Sequence, residues 1–210
     1  MKASKKPRLA VSVFDLIVAV LAIGSWVWML LFSPRVVFSS VGLGSLKYYT
    51  VLSNLFTGFV FICCAAVGFS GKETLPKTLQ LLKLSAVSCV LVTFTVVMIF
   101  LGPVFGFDLM FLGANLVLHL IAPLLACLSY LLFEKRGVVS LKASFFGLIP
   151  TFLYGLGYLS NILINGVGEN RANDFYYFVY WGFPVGLGIF VGILAMNFAF
   201  IQLLRRFSRK

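Results

Sequence analysis

Residues 112–132 read LGANLVLHLIAPLLACLSYLL, an apolar run with His119 close to its middle. About 20 helical residues cross the hydrocarbon core of a bilayer, so this run predicts a membrane-spanning helix. Asn115 lies one helical turn before His119 and Pro123 one turn after, which places all three on one face. His119 is the only histidine in the chain, and an ionisable side chain at bilayer depth is costly and often marks a site. The alternative is a structural histidine that hydrogen bonds to a neighbouring helix.

The whole composition agrees with a membrane protein. Of the 210 residues 61% are hydrophobic and only 11% charged, and the mean hydropathy is +1.05. A soluble domain carries far more charge on its surface, and apolar runs of about 20 residues are too long for barrel strands. We therefore predict one all-α, polytopic domain over residues 1–210. Its six transmembrane helices are expected at about 9–32, 46–69, 78–101, 109–133, 141–164 and 175–204.

The net charge of +11 is concentrated at the ends of the predicted helices. Basic residues cluster on the cytoplasmic side of a membrane protein, so this pattern predicts orientation and gives no reason to expect a nucleic-acid partner. We predict that the N- and C-termini are both cytoplasmic, because only Arg35, Lys47 and Arg171 then lie on the other side. The cytoplasmic side would then hold Lys2, Lys5, Lys6, Arg8, Lys72, Lys77, Lys83, Lys135, Arg136, Lys142, Arg205, Arg206, Arg209 and Lys210. The first apolar run begins like a signal peptide, but its length and the five runs after it predict a retained helix. Compact loops and short tails favour a bacterial plasma membrane, with the endoplasmic reticulum or plasma membrane as the eukaryotic alternative.

Other features of these segments describe packing or anchoring. The four cysteines, Cys63, Cys64, Cys89 and Cys127, lie in apolar runs without metal-ligand spacing, so we expect neither a metal nor a cofactor. Asp15 is expected to pair with a basic residue at the headgroup level or else to serve a site there. Pro150 and Pro184 are candidates for helix kinks. The sixth segment has small-residue spacing that could mediate oligomerisation, through Gly182, Gly186, Gly188 and Gly192.

Polar side chains recur at helical spacing on the second, fourth and fifth segments. We predict that they surround a cavity in the outer half of the bundle, suited to a lipid-like ligand that enters laterally from the outer leaflet. Thr50 and His119 are expected to differ in depth by about 5–10 Å. Aromatic side chains at the start of the sixth segment, including Trp181, are also typical of an interfacial belt. The candidate residues beside His119 and Asn115 are Thr50, Ser53, Asn54, Thr57, Tyr154, Tyr158, Asn161, Asn165 and Trp181.

A threonine beside a histidine can perform acyl transfer. The imidazole takes the hydroxyl proton and later protonates the leaving alcohol. Asn54 or Asn115 would orient His119 or donate to the oxyanion. Three other interpretations remain open. The same polar residues can hold helices together, His119 can be the proton-sensitive group of a lipid binder or transporter, and the chain can be a structural partner in a larger complex.

Three short motifs carry a resemblance to a known family. They are YYTVLSN at 48–54, NLVLHLIAP at 115–123 and YWGFP at 180–184. They resemble the androgen-induced-gene family of intramembrane threonine hydrolases, which includes the androgen-dependent regulators of tissue factor pathway inhibitor. They also resemble the bacterial Pr6Pr six-helix membrane family, to which PTFLY at 150–154 is similar as well.

The resemblance implies a fold and an activity. It implies six membrane helices and hydrolysis of fatty acid esters of hydroxy fatty acids. The nucleophile would be the threonine at position 50, and the essential histidine, three residues before a proline, would be His119. The expected partners are membrane lipids and a lipid-ester substrate, without a metal.

Overall fold

The computed structural model describes residues 6–32, 42–133 and 139–207. Within these ranges six helices are long and apolar enough to cross a membrane, and there is no strand. The all-α prediction is confirmed, and the chain is an integral, multi-pass membrane protein. The helices are α1 (Lys6–Phe32), α2 (Tyr49–Phe69), α3 (Lys77–Phe105), α4 (Ala114–Leu132), α5 (Leu141–Asn165) and α6 (Phe183–Phe207). Seven of the basic residues on which the predicted orientation depends lie outside these ranges, namely Lys2, Lys5, Arg35, Lys135, Arg136, Arg209 and Lys210.

Helix α3 lies at the centre of the bundle. It contacts α2, α4, α5 and α6, whereas α1 packs along α2 and α4. In α2 and α3, 61% of the most apolar stretch is buried inside the protein, against 22% in α6. The outer faces of α1, α5 and α6 are therefore the surfaces that meet lipid.

Four helix boundaries differ from the prediction because the loops contain turns that hydropathy does not detect. Helix α2 begins at Tyr49 rather than 46, after a 3₁₀ turn at Gly42–Lys47. Helix α4 begins at Ala114 rather than 109, after a separate short helix at Phe107–Met110. Helix α3 continues past 101 and ends at Phe105, directly before Gly106, whose φ of 96° favours glycine.

The largest difference is at α6, which begins at Phe183 rather than 175. Tyr177 has φ of 59° and Gly182 has φ of 99°, so the aromatic segment between them is a loop. Pro184 then falls in the first turn of α6, where its missing N–H costs no hydrogen bond. Pro150 likewise opens a helical segment, after the 3₁₀ turn Phe146–Leu148 of α5. Pro184 is therefore not in mid-helix and does not kink α6. Pro150 lies inside α5, and the kink expected there stays a prediction.

The core has two parts, one in each half of the bundle. The proximal half is the half near the start of α1 and the end of α6, and Val18, Phe61, Leu84 and Ile201 are among its buried residues. The distal half is built around a second cluster that includes Met110. The connecting segments 42–48, 106–113 and 166–182 contribute Tyr48, Met110 and Tyr176 to this second cluster, so these segments lie at the distal end.

A buried ion pair lies in the proximal half. The Lys83 ammonium donates to both carboxylate oxygens of Asp15, at 2.9 and 2.8 Å, and Lys83 is 0% exposed. Ser129 of α4 also donates to Asp15, and the Lys83 ammonium lies over the Phe61 ring at 4.9 Å. The expected pairing of Asp15 therefore exists, but inside the bundle. Lys83 therefore lies inside the bundle and not in a loop, so it does not belong among the cytoplasmic residues from which the orientation is predicted.

The remaining small and sulfur-containing residues are distributed as follows. Gly186 packs against the Phe178–Val179 segment, whereas a side chain at Gly188 or Gly192 would meet nothing. Oligomerisation through α6 stays a prediction. All four cysteines are free thiols, and the described part of the chain holds no cluster of three metal-ligating side chains.

Candidate functional site

Two adjoining cavities lie in the distal half. The large cavity, of about 60 Å³, lies between α2, α3, α5 and α6 and has mainly apolar walls. The small cavity, of about 20 Å³, is lined by residues of α1, α2, α3 and α4, and by Tyr48, Met110 and Tyr176 from the connecting segments. Thr50, Leu101 and Tyr176 line both. The junction of the two cavities is therefore at Thr50.

His119 lies in the small cavity and is 5% exposed. Its Nδ1 is 2.6 Å from the carbonyl oxygen of Met110. Because a carbonyl can only accept a hydrogen bond, Nδ1 must carry the proton. In the neutral ring Nε2 then has a lone pair and can act as a base. The short helix that carries Met110 thus fixes the tautomer of His119.

The backbone around His119 departs from α-helical geometry. Residues Val117–Ile121 form a π-turn, in which the Ala122 N–H donates to the Val117 carbonyl. In the same register the Leu118 carbonyl would accept from residue 123, but Pro123 has no N–H. The Asn54 amide supplies the missing donor, at 3.0 Å.

Asn54 therefore connects α2 to the π-turn of α4. Its amide also donates to the Thr50 carbonyl, at 2.8 Å, and the side chain is 0% exposed. Both of its N–H groups are used in this way, and Asn54 lines neither cavity. Asn54 is thus a positioning residue and has no N–H left for an oxyanion.

Thr50 is the second residue of α2 and is half-buried. It lines the small cavity together with Asn115 and His119. Thr50 and His119 were expected to differ in depth, and both nevertheless line the same small cavity. Asn115 is 8% exposed. In the part of the chain that the structure describes, neither the Thr50 hydroxyl nor the Asn115 amide has a hydrogen-bond partner.

The rest of the polar stripe on α2 faces other helices. Ser53 shares a hydrogen bond of 2.9 Å with Thr93 of α3, and Thr57 donates to the Ala86 carbonyl of α3 at 3.2 Å. Neither lines a cavity. The stripe was predicted to face one cavity, but only Thr50 does so. The other members hold α2 against α3 and α4.

On α5 the predicted residues divide in the same way. Tyr154 and Tyr158 line the large cavity. Asn161 accepts a hydrogen bond from Asn165 at 2.8 Å and lines neither cavity. Trp181 is 64% exposed and also lines neither. Asn161 and Trp181, which were expected at the site, therefore lie outside both cavities.

The loop between α5 and α6 contributes a residue that the sequence did not single out. Tyr176 is 9% exposed, and its hydroxyl accepts the Tyr49 N–H at 3.0 Å, at the start of α2. Burial raises the pKa of Tyr176 above its usual range, so it is neutral at physiological pH. The interfacial-belt interpretation does not hold for this residue, because its ring turns inward.

Asp174 holds this loop in place. It is 0% exposed, and its Oδ1 accepts from the Tyr158 hydroxyl at 2.9 Å and the Phe178 N–H at 2.8 Å. Arg171 lies 3.3 Å from Oδ2. The only signal for this in the sequence is an acidic residue directly before an aromatic run.

Comparison of the chain with protein-family models, curated proteins and solved structures finds no match. The family resemblance stays a prediction.

Proposed function

We propose that this protein is an intramembrane hydrolase of lipid esters, with Thr50 as nucleophile and His119 as general base. The observation that carries the proposal is that both side chains line one small cavity while Met110 fixes the histidine tautomer. Nucleophilic acyl transfer requires a base within hydrogen-bond reach of the hydroxyl. In the proposed reaction the Thr50 hydroxyl, which has no partner among the described residues, comes within this reach of His119 Nε2 when the ester binds.

The proposed reaction has an acylation step and a deacylation step. His119 Nε2 takes the Thr50 proton as the hydroxyl oxygen attacks the ester carbonyl carbon, and Asn115 donates to the oxyanion. The bond to the alcohol oxygen then breaks, and His119 returns the proton to that oxygen. Water, activated by the same imidazole, cleaves the acyl-threonine and releases the fatty acid. A positioned base contributes about 10²–10⁴-fold to the rate, and an oxyanion donor about 10²–10³-fold.

The rival interpretation, a transporter with a proton-sensitive His119, needs a path from that residue towards both ends of the bundle. Both cavities lie in the distal half. The described residues of the proximal half fill their space with packed side chains such as Phe61 and Leu84, both 0% exposed. This packing favours a blind substrate site over a conducting path.

The proposal is tested by hydrolysis of a long-chain fatty acid ester of a hydroxy fatty acid by the purified protein in detergent. The native protein is expected to release free acid, and Thr50→Ala is expected to reduce release to background. Ser53→Ala is the matched control, because Ser53 is on the same helix but outside both cavities. Release that survives Thr50→Ala would exclude Thr50 as nucleophile. No release by the folded native protein, either from this ester or from a glycerol ester of the same acid, would favour a lipid binder or transporter.

A further inference from the structure

The two cavities differ in how their polar groups are used. In the large cavity the Thr151 hydroxyl is hydrogen bonded to Tyr49 at 2.7 Å and to Asn197 at 2.6 Å. The hydroxyls of Tyr154 and Tyr158 donate to a carbonyl and a carboxylate of the protein. These polar groups already have protein partners, so the large cavity presents an apolar surface to a ligand.

The small cavity is different. Thr50 and Asn115 reach it with side chains that have no partner in the described ranges, and His119 reaches it with Nε2. It has about a third of the volume of the large cavity. Its ligand is therefore compact and has polar atoms near the reacting centre.

The chemistry fixes which half of an ester occupies each cavity. His119 must protonate the leaving alcohol oxygen, so the alcohol lies on the His119 side of the scissile bond. His119 lines the small cavity and not the large one. The acyl carbon is bonded to Thr50 in the intermediate, and its chain extends away from His119 at the junction.

We propose that the large cavity binds the acyl chain and the small cavity binds the alcohol. The preferred substrate class is then an ester of a long acyl chain with a compact, polar alcohol, rather than with a bulky hydroxy fatty acid. This assignment rests on the proposed function and adds the position of each half of the substrate.

One residue in each cavity can be truncated to test this assignment. Phe190 is 7% exposed in the large cavity, and its ring lies 2.1 Å from where a Cβ at Gly155 would be. The ring thus occupies the space that the glycine leaves, and truncation would lengthen this cavity. Met29 is 2% exposed and lines only the small cavity. Neither residue takes part in the reaction steps.

The experiment measures hydrolysis of two series of esters by the native protein and by a variant at each of these two positions. One series varies the acyl chain length on glycerol, and the other varies the alcohol, from glycerol to a hydroxy fatty acid, on one long acyl chain. Phe190→Ala is expected to move the preferred acyl chain to greater length and to leave the order of alcohols unchanged. Met29→Ala is expected to raise kcat/KM for the bulky alcohol about tenfold, relative to glycerol, and to leave the acyl preference unchanged.

The outcomes separate this inference from the proposed function. The opposite pattern, or equal responses of both series to both variants, would overturn the assignment while leaving hydrolysis established. If the folded native protein hydrolyses no ester of either series, the proposed function fails, and this inference fails with it. If Phe190→Ala or Met29→Ala does not fold, Phe190→Leu or Met29→Val takes its place, because these substitutions keep apolar packing. The same shifts in preference are then expected, but they are smaller.

Discussion

Replacing His119 separates its catalytic role from its structural role. His119→Asn places an amide N–H near the position of Nδ1, so the hydrogen bond to the Met110 carbonyl can persist, but the base is lost. We expect kcat/KM for ester hydrolysis to fall about 10²–10⁴-fold, which corresponds to about 3–5 kcal/mol. The free energy of unfolding should change little.

His119→Leu removes both functions. Met110 is 0% exposed and the contact to its carbonyl is 2.6 Å, so the substitution leaves a buried acceptor without this donor. The expected cost is about 1–3 kcal/mol in unfolding free energy. Hydrolysis should fall at least as far as in His119→Asn.

The assays are steady-state hydrolysis and denaturant unfolding in the same detergent. The reasoning is refuted if His119→Asn retains native turnover, because then no base is needed at this position. It is also refuted if His119→Leu is as stable as His119→Asn, because then the Met110 contact does not hold the ring.

Three further predictions concern one contact in the proximal half and two contacts beside the site. Asp15→Leu or Lys83→Met alone is expected to cost about 3–5 kcal/mol in unfolding free energy, while the double variant Asp15→Leu with Lys83→Met is expected to lie near the native value; additive single effects in this double-mutant cycle would contradict the prediction. Asn54→Leu removes the donor to the π-turn carbonyl, and we expect a loss of about 1 kcal/mol in stability together with reduced hydrolysis; unchanged turnover would mean that Asn54 does not position the site. Asp174→Ala should speed hydrogen exchange at the Phe178 amide by at least tenfold, as measured by mass spectrometry of the loop peptide, whereas unchanged exchange would show that the carboxylate does not hold the loop.

Hydropathy alone predicted most of the fold. Long apolar runs have few alternatives in a membrane, so all six helices were placed, and α5 was predicted to within one residue of its observed end at Asn165. The boundary errors occur where loop geometry decides. Residues 175–182 are apolar enough to continue a helix, yet positive φ at Tyr177 and Gly182 makes them a loop.

The site was predictable only in part. Thr50, Asn115 and His119 could be selected because polar side chains are rare at these depths. Periodicity does not distinguish a residue that faces a cavity from one that faces another helix. Asn54 was therefore grouped with Thr50, although its partner is a carbonyl left unpaired by the π-turn. Tyr176 could not be found in this way, since its inward position depends on long-range contacts of its loop.

The central claim is that the Thr50 hydroxyl is the nucleophile, and covalent labelling tests it most directly. A fluorophosphonate with a long alkyl chain loses fluoride to an activated hydroxyl and leaves a stable adduct. The purified protein in detergent would be labelled, digested and sequenced by mass spectrometry, with Thr50→Ala and Ser53→Ala alongside. We predict one adduct on Thr50 in the native protein and in Ser53→Ala, and none in Thr50→Ala. An adduct on another residue, or ester hydrolysis without labelling of Thr50, would contradict the account.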